Sequence, residues 1–275
     1  MFSRIREITP NSEKRLNRQS ERQHTNMTNI FDGRAIDYAA SRPSYSIEFV
    51  DYLYSQYCIS ETSVIADIGS GTGKFSKHLL DRQSEVYCVE PNDDMRSIAE
   101  NELCKYKKFH SVAGDAENTT LKNNFVDCIT TAQAFHWFDV LKFKKECLRI
   151  IKPNGRVFLI WNIRDASNII NQEWHNIFSQ FCPNFKGFSN GIERDDLKIK
   201  AFFDKGYEYI TFDYPLIFDK ENFIKRSLSS SYSLKENDTN YGAYISALNE
   251  IFYKYENNGL ISISNQSVAY IGFIK

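Results

Sequence analysis

The chain has 275 residues, 42% hydrophobic and 25% charged, with a formal net charge of -1. Near-neutral charge exerts no general pull on nucleic acid or an anionic membrane, and no apolar run reaches the ~18 residues of a membrane span. The length allows one large domain or two small ones, with a sizeable core.

Residues 1–29 set Arg4, Arg6, Lys14, Arg15, Arg18 and Arg22 against Glu7, Glu13 and Glu21, with few apolar residues and no periodicity. They read as a flexible basic tail without the apolar centre of a secretory signal; Met27 is an alternative start. From residue 48 strands and helices alternate. EFVDYLYSQY (48–57) is an amphipathic helix, SVIADIG (63–69) a buried strand and GKFSKHLLDR (73–82) a helix. EVYCVE (85–90) is a second strand, DDMRSIAENEL (93–103) a helix with acids in its first turn, and KFHSVAGD (108–115) a third strand. FVDCITTAQ (125–133) is a fourth strand, and DVLKFKKECLRII (139–151) a helix closed by a Pro153-Asn154-Gly155 turn. RVFLIWN (156–162) is a fifth strand. Apolar strands alternating with helices predict an α/β fold, a parallel sheet with helices on both faces. Beyond residue 165, NQEWHNIFSQF, RDDLKIKAFF, KENFIKRSLS and NYGAYISALNEIFYKYEN read as helices, while YEYITFDYPLIF (207–218) and LISISNQSVAYIGFI (260–274) read as two long strands extending the sheet.

The six cysteines (58, 88, 104, 128, 147 and 182) are scattered without a CxxC pair. They read as reduced core residues of a cytoplasmic protein. The five histidines lack metal-ligand spacing, so no metal is expected.

Gly69, Gly71 and Gly73 follow the first strand and open a helix. In a parallel α/β sheet this loop is where ligands bind, and glycines admit a close backbone approach. The dinucleotide pattern G-x-G-x-x-G is not met, because its last position is Lys74. Asp67 puts negative charge at the strand's tip, which favours a cation over a pyrophosphate. Glu90, ending the second strand, is suited to accept both hydroxyls of a ribose, and Asp115, after the third, an adenine amine. A cationic adenosine compound without need of phosphates is S-adenosylmethionine (SAM).

The segments DIGSGTG, VEPNDDM, GDAEN, TTAQAFHWFD and LRIIKPNGRVFLIWNIRD, in this order, resemble the successive motifs of class I SAM-dependent methyltransferases of the type 11 kind. HWF, WNIRD and FDGRAIDYAASRPSY (31–45) are similar to the subgroup that includes trans-aconitate methyltransferase. The resemblance covers roughly residues 30–275. It implies a Rossmann-like doubly wound sheet of seven strands, the last antiparallel, with residues 31–45 as a lid over the cofactor and helical elements from roughly 168–258 building the acceptor pocket.

It also implies roles. Gly69, Gly71 and Gly73 admit the amino acid and ribose parts of SAM, and Asp67 lies near its amine, directly or through water. Glu90 holds the ribose. Met95 packs on the adenine or simply fills core; Asp115 and the Ala116 backbone meet the adenine; Gln133 lies near the sulfonium. His136 is a candidate base or a structural histidine, and Trp137 a pocket wall. Arg42 and Arg164 pair with a carboxylate on SAM or the acceptor, or with ordinary surface acids. The expected activity is methyl transfer to a small molecule, with a carboxylate among the acceptors considered. The alternatives are an RNA or DNA methylase, disfavoured by the charge and by the absence of N-P-P-[YF], and a SAM-binding protein without transferase activity. The acceptor and the oligomeric state are not legible.

Overall fold

The computed structural model describes residues 43–188, 197–230 and 232–274. The tail at 1–29 and most of the 31–45 segment, Arg42 included, lie outside the described residues. The chain runs α1 (Ile47–Gln56), β1 (Val64–Ile68), α2 (Lys74–Asp81), β2 (Glu85–Val89), α3 (Asp93–Leu103), β3 (Phe109–Val112), β4 (Val126–Ala132), α4 (Val140–Ile150) and β5 (Ile151–Arg164). There follow α5 (Ile169–Phe181), α6 (Leu197–Phe202), β6 (Glu208–Asp213), β7 (Leu216–Asp219), α7 (Lys220–Leu228), α8 (Tyr241–Tyr255), β8 (Leu260–Ile263) and β9 (Asn265–Gly272).

Seven strands form one sheet in the order β3-β2-β1-β4-β5-β9-β6. The first five in that order are parallel, and β9 inserts antiparallel between β5 and β6. This is the Rossmann-like doubly wound sheet. Its order reverses at β1, so a crevice opens at the carboxyl ends of β1 and β4. Successive residues of one strand feed opposite faces, as period-two side chains must. Ile65 packs with Phe49, Leu53, Phe75, Leu79 and Phe158 on one face. Ala66 and Ile68 pack with Ile129, Phe143, Trp161 and Phe202 on the other. A third core, built on Trp174, Phe178, Phe223, Tyr244 and Phe252, belongs to a cap of α5, α7, α8, β7 and β8.

The two long late strands are each broken. β6 and β9 stay in the main sheet, whereas β7 and β8 pair with each other in a separate two-stranded sheet. One break falls at Tyr214-Pro215, where proline offers no N–H to a ladder. The other falls at Ser264, whose carbonyl accepts from Asn171 Nδ2 at 2.7 Å. The breaks face each other: Tyr214 N–H donates to Asn265 O (2.7 Å) and Asn265 Nδ2 donates back to Tyr214 O (3.2 Å). Both chains therefore leave the sheet together and carry the cap with them.

Two smaller expectations change. Pro153-Asn154-Gly155 is not a connector but a bulge inside β5, between the pairs Val126↔Ile151 and Cys128↔Arg156. Asn154 takes the left-handed conformation there, φ 67°. Of the cysteines, Cys88, Cys128, Cys147 and Cys182 are buried, but Cys58 and Cys104 are exposed, because they fall just past the ends of α1 and α3. Among the described residues no helix is long and apolar enough to cross a membrane.

Candidate functional site

The site is built from loops at the carboxyl ends of the parallel strands. After β1 the three glycines all take positive φ (68°, 56° and 78°), which L side chains rarely adopt. Their surroundings differ. A Cβ on Gly69 would stand 2.6 Å from Ala134 Cβ, and one on Gly73 2.5 Å from Leu103 Cδ1, so these two are demanded by the protein's own packing. A Cβ on Gly71 would meet only Met95 Sδ, at 3.6 Å. Gly71 is therefore the glycine whose missing side chain leaves room beside the crevice.

Glu90 joins that loop to the next. Its Oε2 accepts from Gly71 N–H (2.8 Å) and its Oε1 from Asn92 N–H (2.9 Å). The side chain is buried, and burial raises its carboxyl above the usual range while the two main-chain donors and Arg96 hold it down. Arg96 Nη1 donates to the Glu90 carbonyl at 3.0 Å. Asn92 caps α3 by accepting from Met95 N–H (2.9 Å), which fixes Met95, itself buried, beside Gly71. After β3, Asp115 Oδ1 accepts from Glu117 and Asn118 N–H (2.9 and 2.7 Å), and Ala116 is buried in the core. Glu146 of α4 holds this loop from below by accepting from Thr119 N–H and Oγ1.

Asp67 is fully buried. Ser76 Oγ donates to its Oδ2 (2.5 Å) and Thr130 Oγ1 to its Oδ1 (2.8 Å). The structure places it as a brace between α2, β1 and β4, with both oxygens engaged inside the protein. Burial pushes its carboxyl up to about 6; the two hydroxyls oppose the rise and the Glu90 charge adds to it. The native state thus binds this proton more tightly than the unfolded chain does. Between about pH 4 and pH 6 the unfolded carboxyl releases a proton that the native one keeps, so its contribution to stability falls as pH rises and levels off above that window. Two pK units correspond to roughly 3 kcal/mol. In Asp67→Asn this loss disappears. Urea unfolding at pH 4.5 and pH 7.5 should show the variant gaining on the native protein at the higher pH. An equal stability difference at both values would contradict the assignment.

β4 delivers Gln133, His136 and Trp137. Gln133 takes φ 60°, a left-handed position uncommon outside glycine, Asn and Asp, and its Nε2 donates to the Asn162 carbonyl at 3.1 Å. His136 and Trp137 share a single helical turn, with rings 4.7 Å apart and tilted by 43°. Arg164 ends β5 and joins the site to the cap, its guanidinium 4.6 Å from the Trp174 ring centre and 4.1 Å from that of Phe188.

Thus Gly71, Glu90 and Met95 come together, with Gly69 and Gly73 shaping their loop, and Asp67 lies directly beneath. Arg42 is outside the described residues. The segment's end is described: Tyr45 is buried, its ring 5.0 Å from Phe75, and Ser44 Oγ lies 2.7 Å from His78 Nε2. Ser76, Thr130, Asn92, Glu146 and Asn162 were not anticipated. Asn92 had a signal, a capping residue three places before Met95. Asn162 had a weaker one, a polar residue closing the apolar run VFLIW.

Residues 66–159, the span from β1 into β5 that carries these loops, match the family model described as a methyltransferase domain. The loops that line the crevice thus fall within the stretch that is similar to methyltransferase domains. The chain is similar to an uncharacterized methyltransferase-like protein of Schizosaccharomyces pombe, 38% identical over 47% of this chain and 50% of that one. It is also similar to an uncharacterized methyltransferase of Mycobacterium bovis, 34% identical over 46% and 50%. The chain spans about half the length of the curated relatives it matches. The solved YcgJ protein of Bacillus subtilis shares the fold, with a TM-score of 0.54 over 82% of this chain and 97% of that one at 18% identity.

Proposed function

We propose that the protein transfers a methyl group from SAM to a small-molecule acceptor by in-line displacement. The observation that carries this reading is the Glu90 carboxylate, buried at the junction of the β1 and β2 loops and bonded to Gly71 and Asn92. Each oxygen accepts one main-chain bond and keeps a second lone pair, which suits the two hydroxyls of a ribose. The Asp67 carboxylate is buried at the tip of β1, under the glycine loop. That field favours a sulfonium or an ammonium and opposes a pyrophosphate, so it speaks for SAM over a dinucleotide. Met95 beside Gly71 offers an apolar face for adenine, and Asp115 with Ala116 the next contact along the sheet edge.

SAM supplies an already activated methyl group on a sulfonium. The protein then has to align the acceptor and exclude water. Gln133 and His136 occupy the position after β4 nearest the reacting end, and Trp137, Arg164 and the aromatic cap bound the acceptor side. A carboxylate acceptor would need no base, whereas a hydroxyl or amine would call on one, with His136 the nearest candidate. The absence of an N-P-P-[YF] motif and the near-neutral charge favour a small molecule over nucleic acid.

The test is release of S-adenosylhomocysteine (SAH) from SAM by the purified protein, with pools of carboxylic acids, phenols, amines, RNA and DNA. Release with a small-molecule pool supports the proposal. Release with nucleic acid alone, or tight SAM binding with no release from any pool, would overturn it.

A further inference from the structure

We propose that Asn162 is a positioning residue for the transfer step. The inference rests on the methyltransferase reading above. Asn162 lies near the carboxyl end of β5, is 8% exposed, and uses both its main chain and its side chain. Its carbonyl accepts from Gln133 Nε2 (3.1 Å). Its Nδ2 donates to the Ser44 carbonyl (2.7 Å), and its Oδ1 accepts from Ser267 Oγ (2.7 Å). Ser267 Oγ in turn accepts from Ser46 N–H at 3.1 Å. One residue therefore ties together the end of β4, strand β9 and the chain leading into α1.

The consequence falls on Gln133. A carboxamide has a donor end and an acceptor end, and a carbonyl partner accepts only from the donor end. The Asn162 carbonyl thus fixes Gln133 with its nitrogen committed, leaving Oε1 as the acceptor end of the group. The left-handed backbone at Gln133 is held in place by a second bond, from its N–H to Ile160 O at 2.9 Å. Partial negative charge fixed at this spot complements a sulfonium or the O–H or N–H of an acceptor. Transfer by alignment is sensitive to small displacements, and the Asn162 side chain anchors the strand end that sets the alignment. The cofactor clamp at Glu90, Gly71 and Asn92 lies in the loops after β1 and β2 and is built from other hydrogen bonds.

Asn162→Asp separates this role from general support. It keeps shape and the acceptor for Ser267 but turns a second oxygen towards the Ser44 carbonyl. Protonation at low pH restores a donor there. The expected result at pH 8 is at least a tenfold fall in kcat with the SAH dissociation constant within about twofold of native. The ratio to native should recover as pH falls towards 5. His78, whose ring meets Ser44 and whose pKa is lowered chiefly by burial with Arg82 and Lys77 nearby and Asp81 opposing, and Glu48, which accepts from Ser46 Oγ, also titrate, so the pH series is run on Asn162→Ala as well, which carries no new carboxyl. Asn162→Ala should lose activity without the low-pH recovery.

An independent readout needs no acceptor. The side-chain amide signals of Gln133 in nitrogen-15-labelled protein should shift and exchange faster in N162D at pH 8, and return at pH 5. Should N162D fold poorly, Ser267→Ala, which removes only the hydroxyl, should give a several-fold loss of kcat in the same direction. Unmoved Gln133 signals, native kcat, or equal losses of SAH affinity and kcat would overturn the inference. The methyltransferase reading fails separately, on native protein that neither binds nor releases SAH.

Discussion

Glu90→Ala should lower the affinity for SAM at least tenfold while the protein stays folded. Two charge-assisted hydrogen bonds to a ribose contribute about 1.5–3 kcal/mol each before water compensates for their loss. The structure adds a second cost. The same carboxylate bridges Gly71 and Asn92 N–H, so its removal leaves two main-chain donors without their acceptor and slackens both loops. The cap and the far face of the sheet do not depend on those bonds, so unfolding should remain cooperative, with a modestly lower midpoint. Calorimetry with SAH on native and variant protein checks this. An unchanged dissociation constant in a folded variant would remove Glu90 from the ribose site.

Trp174→Ala should cost about 3–5 kcal/mol, the range for removing a large aromatic from a packed core. Trp174 is 1% exposed, with the Phe223 ring 5.0 Å away and the Phe188 ring 5.8 Å away. Its Nε1 donates to Ser227 Oγ at 3.1 Å, and its face carries the Arg164 guanidinium. The damage should stay in the cap, because this cluster is separate from the two cores flanking the sheet. SAH affinity should remain within about threefold of native while methyl transfer is lost. If SAH binding falls in parallel, the cap and the cofactor crevice form one cooperative unit, and the cap is not specifically an acceptor element.

Much of the first half of the fold was legible because local signals agreed there. DDMRSIAENEL has a capping Asn92, acids at Asp93 and Asp94 and a sharp end, and α3 occupies that stretch. The glycine loop and the second strand were equally plain. The breaks in the late strands are not legible, because YITFDYPLIF and ISISNQSVAYIG both keep β-forming residues through them. What bends them is a set of long-range bonds among Tyr214, Asn265, Ser264 and Asn171 that no local pattern encodes. The same limit applied within the site. Asp67 was legible as a charge at a strand tip, but not that Ser76 and Thr130 would claim both its oxygens, since Thr130 is 63 positions away. Glu90 was legible as a ribose ligand candidate, but not as the clamp between two loops. Asn162 is not legible in the sequence, because its three partner segments meet only in the folded sheet.

The proposed occupant of the crevice at β1, β2 and β4 is SAM. Titration calorimetry of the native protein with SAH and, separately, with NAD tests it most directly. One-to-one SAH binding and no NAD binding are expected, because the buried Asp67 carboxylate opposes a pyrophosphate and the glycine spacing is not that of a dinucleotide loop. NAD binding without SAH binding would contradict it.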